Sequence, residues 1–133
     1  MEKNIPHIID IFTHSDQRGH LGVIEEKDIP FAIKRIYYLY EVPDNEVRGV
    51  HAHKQLQQIM VAMHGSVDVT LTKDGKEYKF TLDNPNKGLY VPPMTWRELN
   101  NFKNGAVCCV LASLEYDIED YIFDKNEFLK VTE

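Results

Sequence analysis

Hydrophobic and polar residues along the chain recur in short runs with a two-residue period, the pattern of strands whose alternate side chains face opposite ways. Ile33 to Tyr40 is rich in β-branched and aromatic residues and predicts a strand, ended by the turn residues Pro43-Asp44-Asn45. Gln58 to Met63 predicts a buried strand, punctuated by His64-Gly65-Ser66, after which Val67 to Thr72 alternates apolar and polar. Asp74-Gly75 is a hairpin signal and leads into a strand at Glu77 to Leu82. Pro85, Gly88 and the Pro92-Pro93 pair bracket Leu89-Tyr90-Val91, and Ala106 to Ala112 is the most apolar strand. Asp120 to Leu129 predicts a short terminal helix. Gly49, Gly65 and Gly88 mark places where a strand turns or another backbone comes close. No linker, low-complexity tract or repeat breaks the pattern. Short antiparallel strands are therefore expected to build one all-β domain over residues 1–133, a double-sheet jelly roll or related barrel. Barrels of this kind hold ligands at their mouths or interiors.

Composition narrows the partners. The net charge of −6 argues against a nucleic-acid partner bound through a broad basic surface. No apolar run approaches the roughly 20 residues that span a bilayer, and Met1 to Pro6 has no secretory apolar segment, so no membrane partner is expected. Cys108 and Cys109 are adjacent within an apolar run. They do not suit a structural disulfide and predict reduced core residues in a cytoplasmic protein. Only four arginines, Arg18, Arg35, Arg48 and Arg97, stand against eleven lysines. Each arginine lies at or near an apolar or motif segment, where its planar fork can hold phosphate or carboxylate. For any one of them, chance placement in a strand is an equally open reading.

The stretch Arg48-Gly49-Val50-His51-Ala52-His53 carries the candidate chemistry. Two histidines at i and i+2 of a strand project into one space, beside an arginine. The spacing resembles the first motif of the cupin family, with His51-Ala52-His53 and six residues between Gln58 and Gly65. Metal-binding cupins carry glutamate where this chain has Gln58, and Arg97 stands where a further histidine is normal. An amide is a poor ligand for a hard dication and a guanidinium has no lone pair. Two histidines alone fall short of the three or four ligands a bound metal wants, so no metal is expected. The residues leave three readings: a metal grip, core histidines satisfied by hydrogen bonds, or an acid–base pair. A nearby arginine lowers an imidazole's pKa and favours its basic form. That suits proton abstraction alpha to a carbonyl, with a donor for the developing oxygen.

Ile29 to Tyr38, Arg48 to Lys54, Gly88 to Val91, Trp96-Arg97-Glu98 and Val110 to Ile122 together resemble the TDP-4-keto-6-deoxy-D-glucose 3,4-ketoisomerases, over about Phe12 to Phe128. The resemblance implies a cupin-type double-stranded β-helix, without metal or cofactor, acting on a TDP-linked 4-keto-6-deoxy sugar. It implies an isomerase of deoxysugar biosynthesis for lipopolysaccharides and S-layer glycans, and a homodimer with exchanged N-terminal strands. It makes His51 and His53 the catalytic pair. His51 is expected to take the C-3 proton through an enediol, and His53 to hold or shuttle a proton at an oxygen. Arg48 and Arg35 are expected to bind the pyrophosphate or orient the sugar, Tyr38 to be a second donor, and Gln58 to be a neutral partner of the pair. The positions of Arg18 and Arg97 bear on whether the C-4 hydroxyl emerges axial or equatorial, and arginine at both combines two family patterns. A 3,5-epimerase on the same substrate class, a metal-dependent cupin oxygenase and a non-catalytic sugar-nucleotide-binding cupin are the competing readings.

Overall fold

The structure, a computed structural model, describes residues 4–132. Its strands are β1 (His7–Asp10), β2 (Phe12–Asp16), β3 (Gly19–Val23), β4 (Arg35–Tyr40), β5 (Arg48–His53), β6 (Gln58–Lys73), β7 (Lys76–Leu82), β8 (Lys87–Val91), β9 (Trp96–Ala112) and β10 (Tyr121–Ile122), followed by helix α1 (Lys125–Val131).

Two long strands organise the fold. The N-terminal part of β6 pairs with β8 and with the C-terminal part of β9, which also pairs with β4. The remainder of β6 pairs with β7 and with the first half of β9, which also pairs with β5. Each long strand thus passes through both layers of a double-sheet jelly roll. The passage is made at a run of register shifts between Ala62 and Asp68. Gly65 sits there with a φ of 67°, and a β-carbon on it would run into the Lys103 and Ala106 backbone. A side chain at that position would face both a left-handed backbone and the adjacent backbone of β9. The punctuation at His64-Gly65-Ser66 therefore bends one strand and does not separate two.

Alternation along each strand gives the layers their inner face. Met60, Ala62, Val67, Val69 and Leu71 of β6 pack with Leu89 and Val91 of β8 and Leu99, Cys108 and Val110 of β9. On the outer face of the first layer, Ile59, Val61, Tyr90, Cys109 and Leu111 are covered by Ile11 and Ile29. On the second, Ala52, Trp96 and Ile122 are covered by Phe128 of α1. Both cysteines are free and buried. The terminal helix begins later than the sequence suggests. Asp124 caps it by accepting from Asn126 N and Glu127 N, while the residues ahead form a 3-10 turn at Ile118–Asp120 and then β10. Among the described residues no helix is long and apolar enough to cross a membrane.

Candidate active site

The inward faces of β4, β5, β6 and β9 meet at one end of the jelly roll. Side-chain parity places Arg35 and Tyr37 of β4, His51 and His53 of β5, Gln58 of β6 and Arg97 of β9 on that inner side. A cavity of about 300 Å³ opens there, and its lining includes Arg35, Tyr37, Arg48, His51, Arg97 and Tyr121. Three arginines line it and no carboxylate does.

Arg97 is the hub, 4% exposed. Its Nε donates to the Gly49 carbonyl at 3.1 Å. Its Nη1 donates to the Tyr37 hydroxyl at 3.1 Å and to Gln58 Oε1 at 3.0 Å. Its Nη2 lies 3.2 Å from His51 Nε2. A guanidinium can only donate, so Nε2 is the unprotonated nitrogen of His51 and the ring proton sits on Nδ1. Gln58 Nε2 also donates to the Tyr37 hydroxyl, at 2.7 Å. That oxygen accepts twice, which leaves its own proton free to be donated elsewhere. Gly49 makes room for the hub: its φ is 64°, and a β-carbon there would stand 2.8 Å from Arg97 Nη2.

The two imidazoles are held uncharged. Burial, and then the Arg97 charge, depress the His51 pKa to about 3. The same two causes, followed by His51 and Arg35, bring His53 to about 2. Their rings meet edge to face with centroids 4.8 Å apart. His51 forms part of the cavity wall, whereas His53 is buried behind it. Nδ1 of His51 and Nε2 of His53 are buried without a partner among the described residues, as is Nε of Arg35. The Arg35 guanidinium lies 4.7 Å over the Tyr37 ring. Among the described residues, no group of three or more His, Cys, Asp or Glu side chains is placed to hold a metal ion. The arrangement offers one neutral base on the wall, a tyrosine proton and a set of cationic donors, which is chemistry for moving a proton beside a carbonyl on an anionic substrate.

A family described as FdtA: WxcM-like, C-terminal, matches residues 4–133. The TDP-4-oxo-6-deoxy-alpha-D-glucose-3,4-oxoisomerase of Aneurinibacillus thermoaerophilus is 47% identical over 116 residues, 86% of this chain and 84% of that protein. The chain belongs to this 3,4-ketoisomerase family. A 3,4-ketoisomerase from Helicobacter canadensis superposes with a TM-score of 0.91 at 41% identity, covering 96% of each chain. The H51N mutant of the ketoisomerase QdtA from Thermoanaerobacterium thermosaccharolyticum, in complex with TDP-4-keto-6-deoxyglucose, superposes with a TM-score of 0.93 at 39% identity. That match covers 99% of this chain and 96% of that one.

Against this ketoisomerase frame, the structure gathers His51, His53, Gln58, Arg97 and Arg35 into one cluster, with Arg48 at the cavity's exposed edge. Two expected site residues fall elsewhere. Tyr38 is on the outward face of β4, because β4 alternates and Tyr37 takes the inward place. The β4 tyrosine that lines the cavity is Tyr37, one step of strand parity from Tyr38. Arg18 is on the β2–β3 hairpin, paired with Asp16 at 2.8 Å, and does not line the cavity of its own chain. Tyr121 was not singled out from sequence. It lies in the stretch from which a terminal helix is predicted, so its pairing with β5 left no local signal.

Proposed function

We propose that the chain is a sugar-nucleotide isomerase that moves the ketone of TDP-4-keto-6-deoxy-D-glucose from C-4 to C-3. The observation that carries this reading is a neutral imidazole sharing a cavity with three arginines and no carboxylate. The named activity of the Aneurinibacillus relative and the sugar nucleotide bound to the QdtA variant support the same substrate. His51 is the base. Its Nε2 lone pair is held by Arg97, so a substrate oxygen that draws Arg97 away exposes that lone pair to C-3. Removal of the C-3 proton sends electrons to the C-4 oxygen. The Tyr37 proton and the Arg97 fork then supply donors for the developing oxyanion. Return of a proton to C-4 and loss of the C-3 hydroxyl proton complete the exchange, with hydrogen transferred between carbons and between oxygens and no net redox. His53 stands behind the base as a second uncharged ring. Arg35 and Arg48 hold the diphosphate or orient the sugar.

The functional unit in this reading is a single cupin domain in a homodimer with exchanged N-terminal strands, in the cytoplasm. The β2–β3 hairpin pairs with no other strand among the described residues, and a two-stranded hairpin alone is marginal in water. It exposes Phe12 and Leu21, while β4 exposes Ile36, Tyr38 and Tyr40 on one outward face. Exchange would carry Arg18 toward the partner's site.

The test is incubation with TDP-4-keto-6-deoxyglucose in heavy water, trapping by a 3-aminotransferase, and NMR of the product. A ketone at C-3 with deuterium at C-4 is expected. An inverted centre with the ketone still at C-4 would make the chain an epimerase, and binding without exchange would make it a sugar-nucleotide sensor.

A further inference from the structure

The side chain lying against both histidines is Tyr121, with its ring centroid 4.8 Å from that of His51 and 4.4 Å from that of His53. Backbone pairing dictates the contact. Tyr121 stands opposite His53 in the β5–β10 ladder. Directly opposed residues share a face, and the diagonal neighbour His51 is within reach of an aromatic ring. Asp120 pins this register. Its carbonyl accepts from Lys54 N at 2.8 Å, and its carboxylate accepts from Gln55 N at 2.9 Å and Leu56 N at 3.1 Å. Ile122, the next residue, is buried against Ala52, Trp96 and Phe128. Phe123 stacks on Tyr121 at 5.2 Å and 13° and meets the His51 ring edge to face at 5.8 Å.

We propose that Tyr121 is a positioning residue: its ring, carried on a two-residue strand, closes the histidine pair against water and holds both imidazoles in the orientation from which His51 acts. The role rests on the reading of His51 as base. Burial stands ahead of Arg97 as the cause of the low basicity of each ring, and the Tyr121 ring supplies part of that burial. The charged and titratable groups facing the pair are Arg97 from β9, Arg35 and Tyr37 from β4, and Arg48 at the start of β5. None is an anion that would offset an imidazolium, so admitting water is the route by which the rings regain basicity.

The experiment compares the wild type with Tyr121→Leu and Tyr121→Phe, reading imidazole ¹⁵N titrations of the ligand-free protein together with kcat, KM and the pH profile of kcat/KM. In Tyr121→Leu, both imidazole pKa values are expected to move up toward 6.5, and the acid limb of kcat/KM to move with them. Its kcat is expected to fall about 10- to 100-fold, a share of what proton-transfer catalysis contributes, with KM nearly constant. Tyr121→Phe is expected to restore most of the lost kcat and the wild-type titration. Unchanged titration and pH profile in Tyr121→Leu overturn the proposal, and so does a Phe variant as impaired as the Leu variant, which would make the hydroxyl the active group. If Tyr121→Leu does not fold, Asp120→Asn loosens the strand while keeping the ring. A smaller upward imidazole shift is then expected, and no shift overturns the proposal. The ligand-free titration is independent of substrate, so an absent turnover beside the expected imidazole shifts faults the assigned reaction alone.

Discussion

Arg97 spends its donors on neutral groups, the Gly49 carbonyl, Tyr37, Gln58 and His51. A buried guanidinium so placed retains its full charge for an incoming oxyanion. Tyr37 is the partner with a proton to give. Tyr37→Phe removes that donor and leaves Gln58 Nε2 and Arg97 Nη1 each one acceptor short, so kcat is expected to fall about 10²-fold or more. Steady-state kinetics with a circular-dichroism check of folding measure it, and wild-type turnover would exclude Tyr37 from the reaction. The histidines make a separate prediction about acid. Both fold with pKa values, about 3 and about 2, below the ordinary 6.5. As pH falls through 6.5, the unfolded chain takes up protons that the folded chain refuses, and stability declines until the folded values are reached. Above 6.5 both states are neutral there and the pair adds no slope. Urea midpoints of the wild type should therefore drop between pH 6.5 and 3 more steeply than those of a His51→Asn/His53→Asn variant. Equal slopes would mean the rings titrate freely.

Strand β5 shows how an element serves the site through its backbone. Gly49 adopts a φ of 64° two residues before His51, and the absent side chain is what lets Arg97 reach the Gly49 carbonyl. Gly49→Ala places a methyl on the guanidinium and an L-residue in a left-handed conformation, a cost of about 1–2 kcal/mol for the backbone alone. A lower melting temperature and a reduced kcat are expected together, since displacing Arg97 also releases His51. Calorimetry and kinetics on the same sample check it, and a Gly49→Ala enzyme of full activity and stability would show that Arg97 is not held by this contact. Much of the element's role was legible in sequence. The two-residue period put His51 and His53 on one face, and Gly49 and Gly65 marked close approaches. Tyr38 shares a strand face with Ile36 as its spacing requires, but β4 is aromatic on both faces and only the β9 pairing decides which side is inside. The Trp96–Lys103 half of β9 went unread because its polar residues, Asn100, Asn101 and Lys103, mask the alternation. Tyr121 went unread because two residues of strand are too short to carry a period.

At the scale of the whole molecule, the chain exposes apolar surface that its own core does not use. Ile36, Tyr38 and Tyr40 project from the outward face of β4, with Tyr38 60% exposed. The β2–β3 hairpin shows Phe12 and Leu21 at 60% and 61%. Clustered aromatic and aliphatic residues on a strand face mark an association surface more often than a solvated one. The same hairpin carries Arg18, 84% exposed in its side chain and paired among the described residues with a neighbour on the hairpin, Asp16. Such an exposed pair contributes little stability, so the arginine is free to serve another site. If a second copy covers these surfaces and receives Arg18, assembly and catalysis fail together. Tyr38→Glu sets a carboxylate in the face without touching the cavity, to which β4 contributes Tyr37. Sedimentation equilibrium is expected to show the variant as a monomer at concentrations where the wild type is a dimer, with kcat/KM lowered and with Arg18→Ala lowering kcat/KM in a protein that still dimerises. A monomeric Tyr38→Glu enzyme of full activity would confine the whole reaction to one chain and leave the hairpin a purely structural arm.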